Sequence, residues 1–129
     1  MRIAIPVSHD RVATVFDFAT RFRVIDISGN EMTGNVEMVV HEDFMPGRVT
    51  RLAESGVDLL ICGAISMDAA AMISYSGIRI IPEVTGDIDE VFFAFIHGAL
   101  RDAVFMMPGH GRAQGRGRGR RTGYGRKKR

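Results

Sequence analysis

Short apolar runs separated by polar punctuation divide most of this 129-residue chain. Arg2 to Val7 (RIAIPV) is a compact, β-rich run in which Pro6 marks an edge or a strand terminus. Phe22 to Ile27 (FRVIDI) alternates, with Phe22, Val24 and Asp26 on one side and Arg23, Ile25 and Ile27 on the other. Ser28-Gly29-Asn30 supplies a turn, and Val36 to Val40 (VEMVV) reads as a third strand. Links this short join neighbouring antiparallel strands, so the three predict a meander.

After His41 the period changes from two to helical. Pro46 to Ser55 places Val49, Leu52 and Ala53 on one face, with Pro46 in the first turn and Gly56 as a stop. Asp58 to Cys62 (DLLIC) is an unbroken apolar run, the mark of a central strand covered on both faces. Gly63 and Ser66 lead into a helix over Met67 to Tyr75, closed by Gly77, and Ile78 to Ile81 forms a fifth strand. A last helix starts at Asp87, where Asp87 and Glu90 make an acidic capping box, and its apolar face runs through Ile88, Val91, Phe92, Phe95, Ile96 and Ala99. The order predicts an α/β fold: a mixed five-stranded sheet, first an antiparallel meander and then alternating helices and strands, with helices on its faces.

Charge splits the chain in two. Residues 1–109 hold eight basic and fifteen acidic groups, a net −7, while the nine cations beyond them bring the whole to +2. We therefore expect one folded domain over 1–107 and a Gly/Arg-rich tail over 108–129 that buries too little apolar surface to fold alone. No apolar run approaches a membrane span of about 20 residues, and MRIAIPVSHD has no signal-peptide pattern. A cytoplasmic location is the expectation. The single cysteine, Cys62, cannot form an internal disulfide.

Four stretches give the chain a family likeness: MRIAIPV, VFDFATRFRVIDI with Phe16, Ala19 and Phe22, GVDLLICGAIS, and SGIRII. Together they resemble the NifX/NifB-type domain of the dinitrogenase iron–molybdenum cofactor family, over about residues 1–105. Two positions depart from the family's pattern: Asp17 stands where glycine is usual, and Gly63-Ala64 replaces a double glycine. The resemblance implies a ribonuclease-H-like three-layer fold. It also implies a carrier or accessory role toward an iron–sulfur or iron–molybdenum-type cluster or its precursor, exchanged with a donor or acceptor protein.

Candidate chemistry is sparse. Cys62 ends a strand just before a helix, where open α/β sheets place ligands, and a thiolate there could ligate iron; equally, a lone cysteine serves as a small apolar filler. His9 and His41 follow the first and third strands, so Cys62, His9 and His41 are the candidate metal ligands, with Gly63 and Ser66 as further cofactor contacts. No CxxC, HxH or HExxH spacing accompanies them. His97 falls in the last helix and His110 opens the tail, while Met67, Met72, Met106 and Met107 read as soft ligands or as packing. A metal-dependent nuclease of the ribonuclease-H type needs a carboxylate in its first strand. Ile3-Ala4-Ile5 provides none, so the fold would not bring that activity with it.

Two function classes compete with the carrier. One is a protein-binding module that associates through an exposed strand edge. The other is nucleic-acid association through Arg116, Arg118, Arg120, Arg121, Arg126, Lys127, Lys128 and Arg129, whose guanidinium groups can clamp phosphate and stack on bases. The latter predicts RNA or DNA binding that weakens steeply with salt and disappears on truncation after Pro108. Equal binding by the full-length and truncated chains, measured by fluorescence anisotropy, would remove it.

Overall fold

The structure is a computed structural model and describes residues 1–100. The tail, its arginines and lysines, His110, Met106, Met107 and the expected boundary at 107 lie outside the described residues. Six strands share one open, mixed sheet: β1 (Arg2–Ser8), β2 (Arg11–Val12), β3 (Arg21–Ser28), β4 (Glu31–Val39), β5 (Leu59–Ile61) and β6 (Arg79–Ile81). Three helices accompany them among the described residues: α1 (Met45–Glu54), α2 (Met67–Tyr75) and α3 (Ile88–Ile96). None of them is long and apolar enough to cross a membrane.

The sheet order is β4-β3-β1-β5-β6, with β2 paired to the end of β1. β1, β3 and β4 form the expected antiparallel meander, and β5 and β6 add to it in parallel. The expected strand count was one too low. β2 has two residues, too few for any periodic pattern, and exists because a His9-Asp10 turn folds Arg11 and Val12 back onto Ser8 and Val7. Nor is Pro6 on an edge. β1 is central, and Pro6 lies past Ala4, its last residue paired with β5, where a missing N–H costs that ladder nothing.

Alternation along the central strands builds two cores. Ala4, Phe22, Leu60 and Cys62 face Val49 and Leu52 of α1 and Ala69 and Ile73 of α2. Ile3, Ile5, Ile25, Leu59 and Ile61 face Ile88, Val91 and Phe92 of α3. The sheet is thus the middle of three layers. Each helix stops at a glycine by the same pair of hydrogen bonds; after α2, the Gly77 N–H reaches the Ser74 carbonyl (3.0 Å) and the Ile78 N–H reaches the Ile73 carbonyl (3.3 Å), with Gly77 left-handed at φ 90°.

The edge of the sheet where β1 begins is fastened by charge. Arg2 and Asp26 stand opposite one another on β1 and β3, and the guanidinium donates to both carboxylate oxygens at 2.7 and 3.2 Å. It also donates to the carbonyl of Ser55 at the end of α1 (2.5 Å), where the helix dipole favours a cation. The Arg2 hydrogen bonds and charge hold the Asp26 carboxyl below its usual range. A depressed carboxyl contributes stability above its unfolded pKa of about 4 and loses it as the pH falls through the lower folded value. Asp26→Asn should therefore flatten the pH dependence of the melting temperature below about pH 4, with little change in shape above it. An unaltered acid limb in thermal melts would show that the pair contributes nothing.

Candidate functional site

The strand registers place the C-terminal ends of β1, β4, β5 and β6 at one edge of the sheet. His9, His41 and Cys62 follow three of those strands, so the two loop histidines do lie at the same end. They are nevertheless spread along it. β4 and β5 have β3 and β1 between them, which is about 14 Å at ordinary strand spacing. Among the described residues no three His, Cys, Asp or Glu side chains come together as a metal site.

His9 is exposed in the two-residue turn between β1 and β2, in the left-handed region at φ 57°. From there the chain runs back across the sheet edge. Ala13 donates to the carbonyl of Pro6 (2.8 Å), Ala64 donates to the carbonyl of Thr14 (2.8 Å), and Phe16 donates to the carbonyl of Ala64 (2.8 Å). This seam lies directly on Gly63, where a Cβ would sit 2.6 Å from the Thr14 oxygen and 2.7 Å from that of Ala13. Only glycine fits. A single 3₁₀ turn, Phe16–Phe18, follows. It sends the Phe16 ring into the core, edge-on to Phe22 at 5.8 Å, and lets Asp17 accept from the Ser66 N–H at 3.0 Å. Ser66 is the N-cap of α2, accepting from the Ala69 N–H at 3.1 Å. Gly63 and Ser66 are thus engaged by the chain itself.

The loop encloses a cavity of about 490 Å³ with the end of β1 and the start of β3. That is the size of a small-ligand site. Ser8, His9, Thr14, Phe18, Thr20 and Arg21 line it, and Glu37 on β4 pairs with Arg21 at its rim, Nε to Oε2 2.8 Å. Phe18 is 83% exposed. Of the five expected site residues, the cavity takes in only His9. His41 is exposed on the β4–α1 loop. Cys62 is fully buried in the α1/α2 core, and burial, reinforced by the negative charges of Glu83 and Asp17, drives its thiol pKa far up, so it stays protonated at neutral pH.

Behind the loop lies a residue the sequence reading passed over. Arg48 of α1 is 2% exposed and donates to the carbonyls of Phe16 (2.9 Å), Ala19 and Glu42 (3.2 Å), with its guanidinium carbon 5.4 Å from the centre of the Phe16 ring. A signal existed: Arg48 falls on the stripe of Met45, Val49 and Leu52, where an arginine must find partners inside. Thr14, Phe18 and Thr20 gave no such sign, being polar or aromatic loop residues without a period.

The chain is an open α/β sheet with a cavity outside the carboxyl ends of its strands, the place where sheets of this kind take ligands. Residues 1–98 match the family described as dinitrogenase iron–molybdenum cofactor, and this chain belongs to that family. The likeness read from four short stretches therefore holds over nearly the range expected. Among solved structures, the crystal structure of PH0822 is similar at a TM-score of 0.74 and 26% identity, covering 78% of this chain and 92% of that one. A protein from Thermotoga, provisionally described as a NifB protein of the DUF35 family, is similar at 0.59 and 26%, covering 76% and 89%. One from Methanocaldococcus jannaschii, provisionally described as a dinitrogenase, shares the fold at 0.65 and 24%, covering 78% and 91%. No curated protein matches the sequence.

A sealed, protonated thiol reacts only when the structure opens. Native protein should react with a bulky aromatic disulfide at least about a hundredfold more slowly than protein unfolded in guanidinium. Comparable rates in the two states would mean that Cys62 is open to solvent.

Proposed function

We propose that this chain is a non-catalytic carrier or accessory protein of the cytoplasm. Its cargo is an anionic iron–sulfur-type cluster, of iron–molybdenum type or a precursor of one, which it passes between a donor and an acceptor protein. Family membership supports the cofactor class. The strand order, with the two-residue β2 set aside, supports a ribonuclease-H-like arrangement, and β1 offers no carboxylate for that fold's nuclease chemistry.

One observation carries the reading: the cavity at the strand ends presents an imidazole, hydroxyls and a guanidinium, while the chain's cysteine is closed off. His9 supplies a nitrogen that ligates iron-type metals. Ser8, Thr14 and Thr20 supply hydroxyl donors, and Arg21 supplies a cation that an anionic cargo can share with Glu37. A cluster held this way keeps its other ligands and can leave again. Cys62 takes no part in it.

Anaerobic addition of a preassembled cluster, followed by absorbance and electron paramagnetic resonance, tests this. Wild type and Cys62→Ala should bind alike, and His9→Ala should bind about tenfold or more weakly. If neither wild type nor Cys62→Ala takes up cluster, or forms one from iron and sulfide, the chain is not a carrier. Loss on Cys62→Ala with His9→Ala unaffected would reverse the ligand assignment.

A further inference from the structure

Among the described residues Arg48 makes no salt bridge; the two formed there are Arg2–Asp26 and Arg21–Glu37. Its hydrogen-bond partners are three backbone carbonyls, and its Nε, fully buried, has no partner. Burying a guanidinium whose hydrogen-bond partners are all backbone carbonyls is costly, which raises the question of what the charge is for. If holding the 3₁₀ turn were the whole task, a neutral donor could serve. The position of the group suggests what else it does. Two of its carbonyl partners, Phe16 and Ala19, bracket Phe18, and both Phe18 and Ala19 line the cavity.

We propose that Arg48 is a positioning residue of the cargo site, pinning the 16–19 wall from within and leaving a buried positive charge behind it that favours anionic cargo. This rests on the carrier reading and adds the source of its charge preference. The third carbonyl, Glu42, ties the β4–α1 loop to the same group, so two segments converge on it. Groups bearing on Arg48 come from each side. Asp17 lies on the 3₁₀ turn and Asp43 on the loop before α1, and both oppose the lowering of its pKa by burial. Neither carboxylate neutralises it by contact. Behind a low-dielectric wall its field reaches the cavity less screened than that of the exposed Arg21, whose carboxylate partner Glu37 offsets it.

Two substitutions in the full chain separate charge from fastening. Arg48→Lys keeps the charge and loses the fork; Arg48→Gln loses the charge and keeps an amide donor for the carbonyls. A thiolate-ligated [4Fe–4S] dianion is titrated anaerobically into each, with amide hydrogen exchange at Ala19, whose N–H bonds to the Phe16 carbonyl at 3.1 Å, as a cargo-free readout. We expect faster exchange in both variants, about tenfold or more weaker binding by Arg48→Gln, and binding within about threefold of wild type by Arg48→Lys. Equal losses in the two overturn the charge role, and wild-type affinity in Arg48→Gln overturns the proposal. Should Arg48→Gln not fold, Asp43→Asn decides. Asp43 lies outside the cavity, and removing its charge should raise affinity about threefold, while Asp89→Asn, on α3, changes nothing; no difference between these two overturns the charge role. If wild type binds no cluster, the carrier reading fails separately, and unchanged Ala19 exchange in Arg48→Lys then overturns the fastening as well.

Discussion

The contact of the Thr14 carbonyl with Gly63 is the constraint on which the edge of this domain depends. The chain after β2 has no strand or long helix to hold it, and hydrogen bonds worth about 1 kcal/mol each do not by themselves outweigh about 1–2 kcal/mol of backbone ordering per residue. Closeness resolves this. Because residue 63 has no side chain, the segment lies directly on the β5–α2 turn, exchanges two hydrogen bonds with Ala64, and turns at a point that drops Phe16 into the core. Burial of that ring contributes about 2–3 kcal/mol and its edge-on contact with Phe22 about 1 more. Asp17, Phe18 and Ala19 follow directly from that anchor. One meets the first amide of the α2 turn and two form the cavity wall.

The fold was largely legible because its parts obey simple periods. The run Leu59 to Cys62 has no polar residue, and a strand covered on both faces needs none. Met67–Tyr75 was bounded correctly by a serine cap and a glycine stop, each a local effect of the helix on its own ends. Failures fell where no period exists. β2 is too short to alternate, and β4 begins five residues before the expected Val36 because Glu31 to Asn35 are polar and glycine-containing, as suits an edge strand exposed along most of its length.

The site was much less legible, and for a different reason. Its lining comes from the end of β1, an irregular loop and the start of β3, and only the register of those strands brings them together. His9, which lines the cavity, was singled out because it follows a strand. Cys62 shows the limit of the same argument. Being at a strand end suggested a ligand, but period two puts Cys62 on the same face as Leu60, beneath α1 and α2, and the strand had already been read as covered on both sides. Chain position and facing gave opposite answers, and facing decides what solvent or cargo can touch.

Charge poses the remaining question, since the residues before the tail sum to −7 and would repel an anionic cargo at long range. Repulsion between exposed charges is screened beyond about 8 Å at physiological salt, so capture has to rest on what lies within that distance of the cavity. There the balance differs from that of the whole. Glu37 lines the cavity but is matched by Arg21, and Arg48 stands behind the wall with no carboxylate in contact. In the carrier reading this arrangement has a consequence for transfer. A domain that is negative overall gains nothing from long-range attraction, so it would hold an anionic cargo by the short-range contacts of the recess and release it when those are lost. In that reading the seam over Gly63, which builds the recess, is also what those contacts depend on.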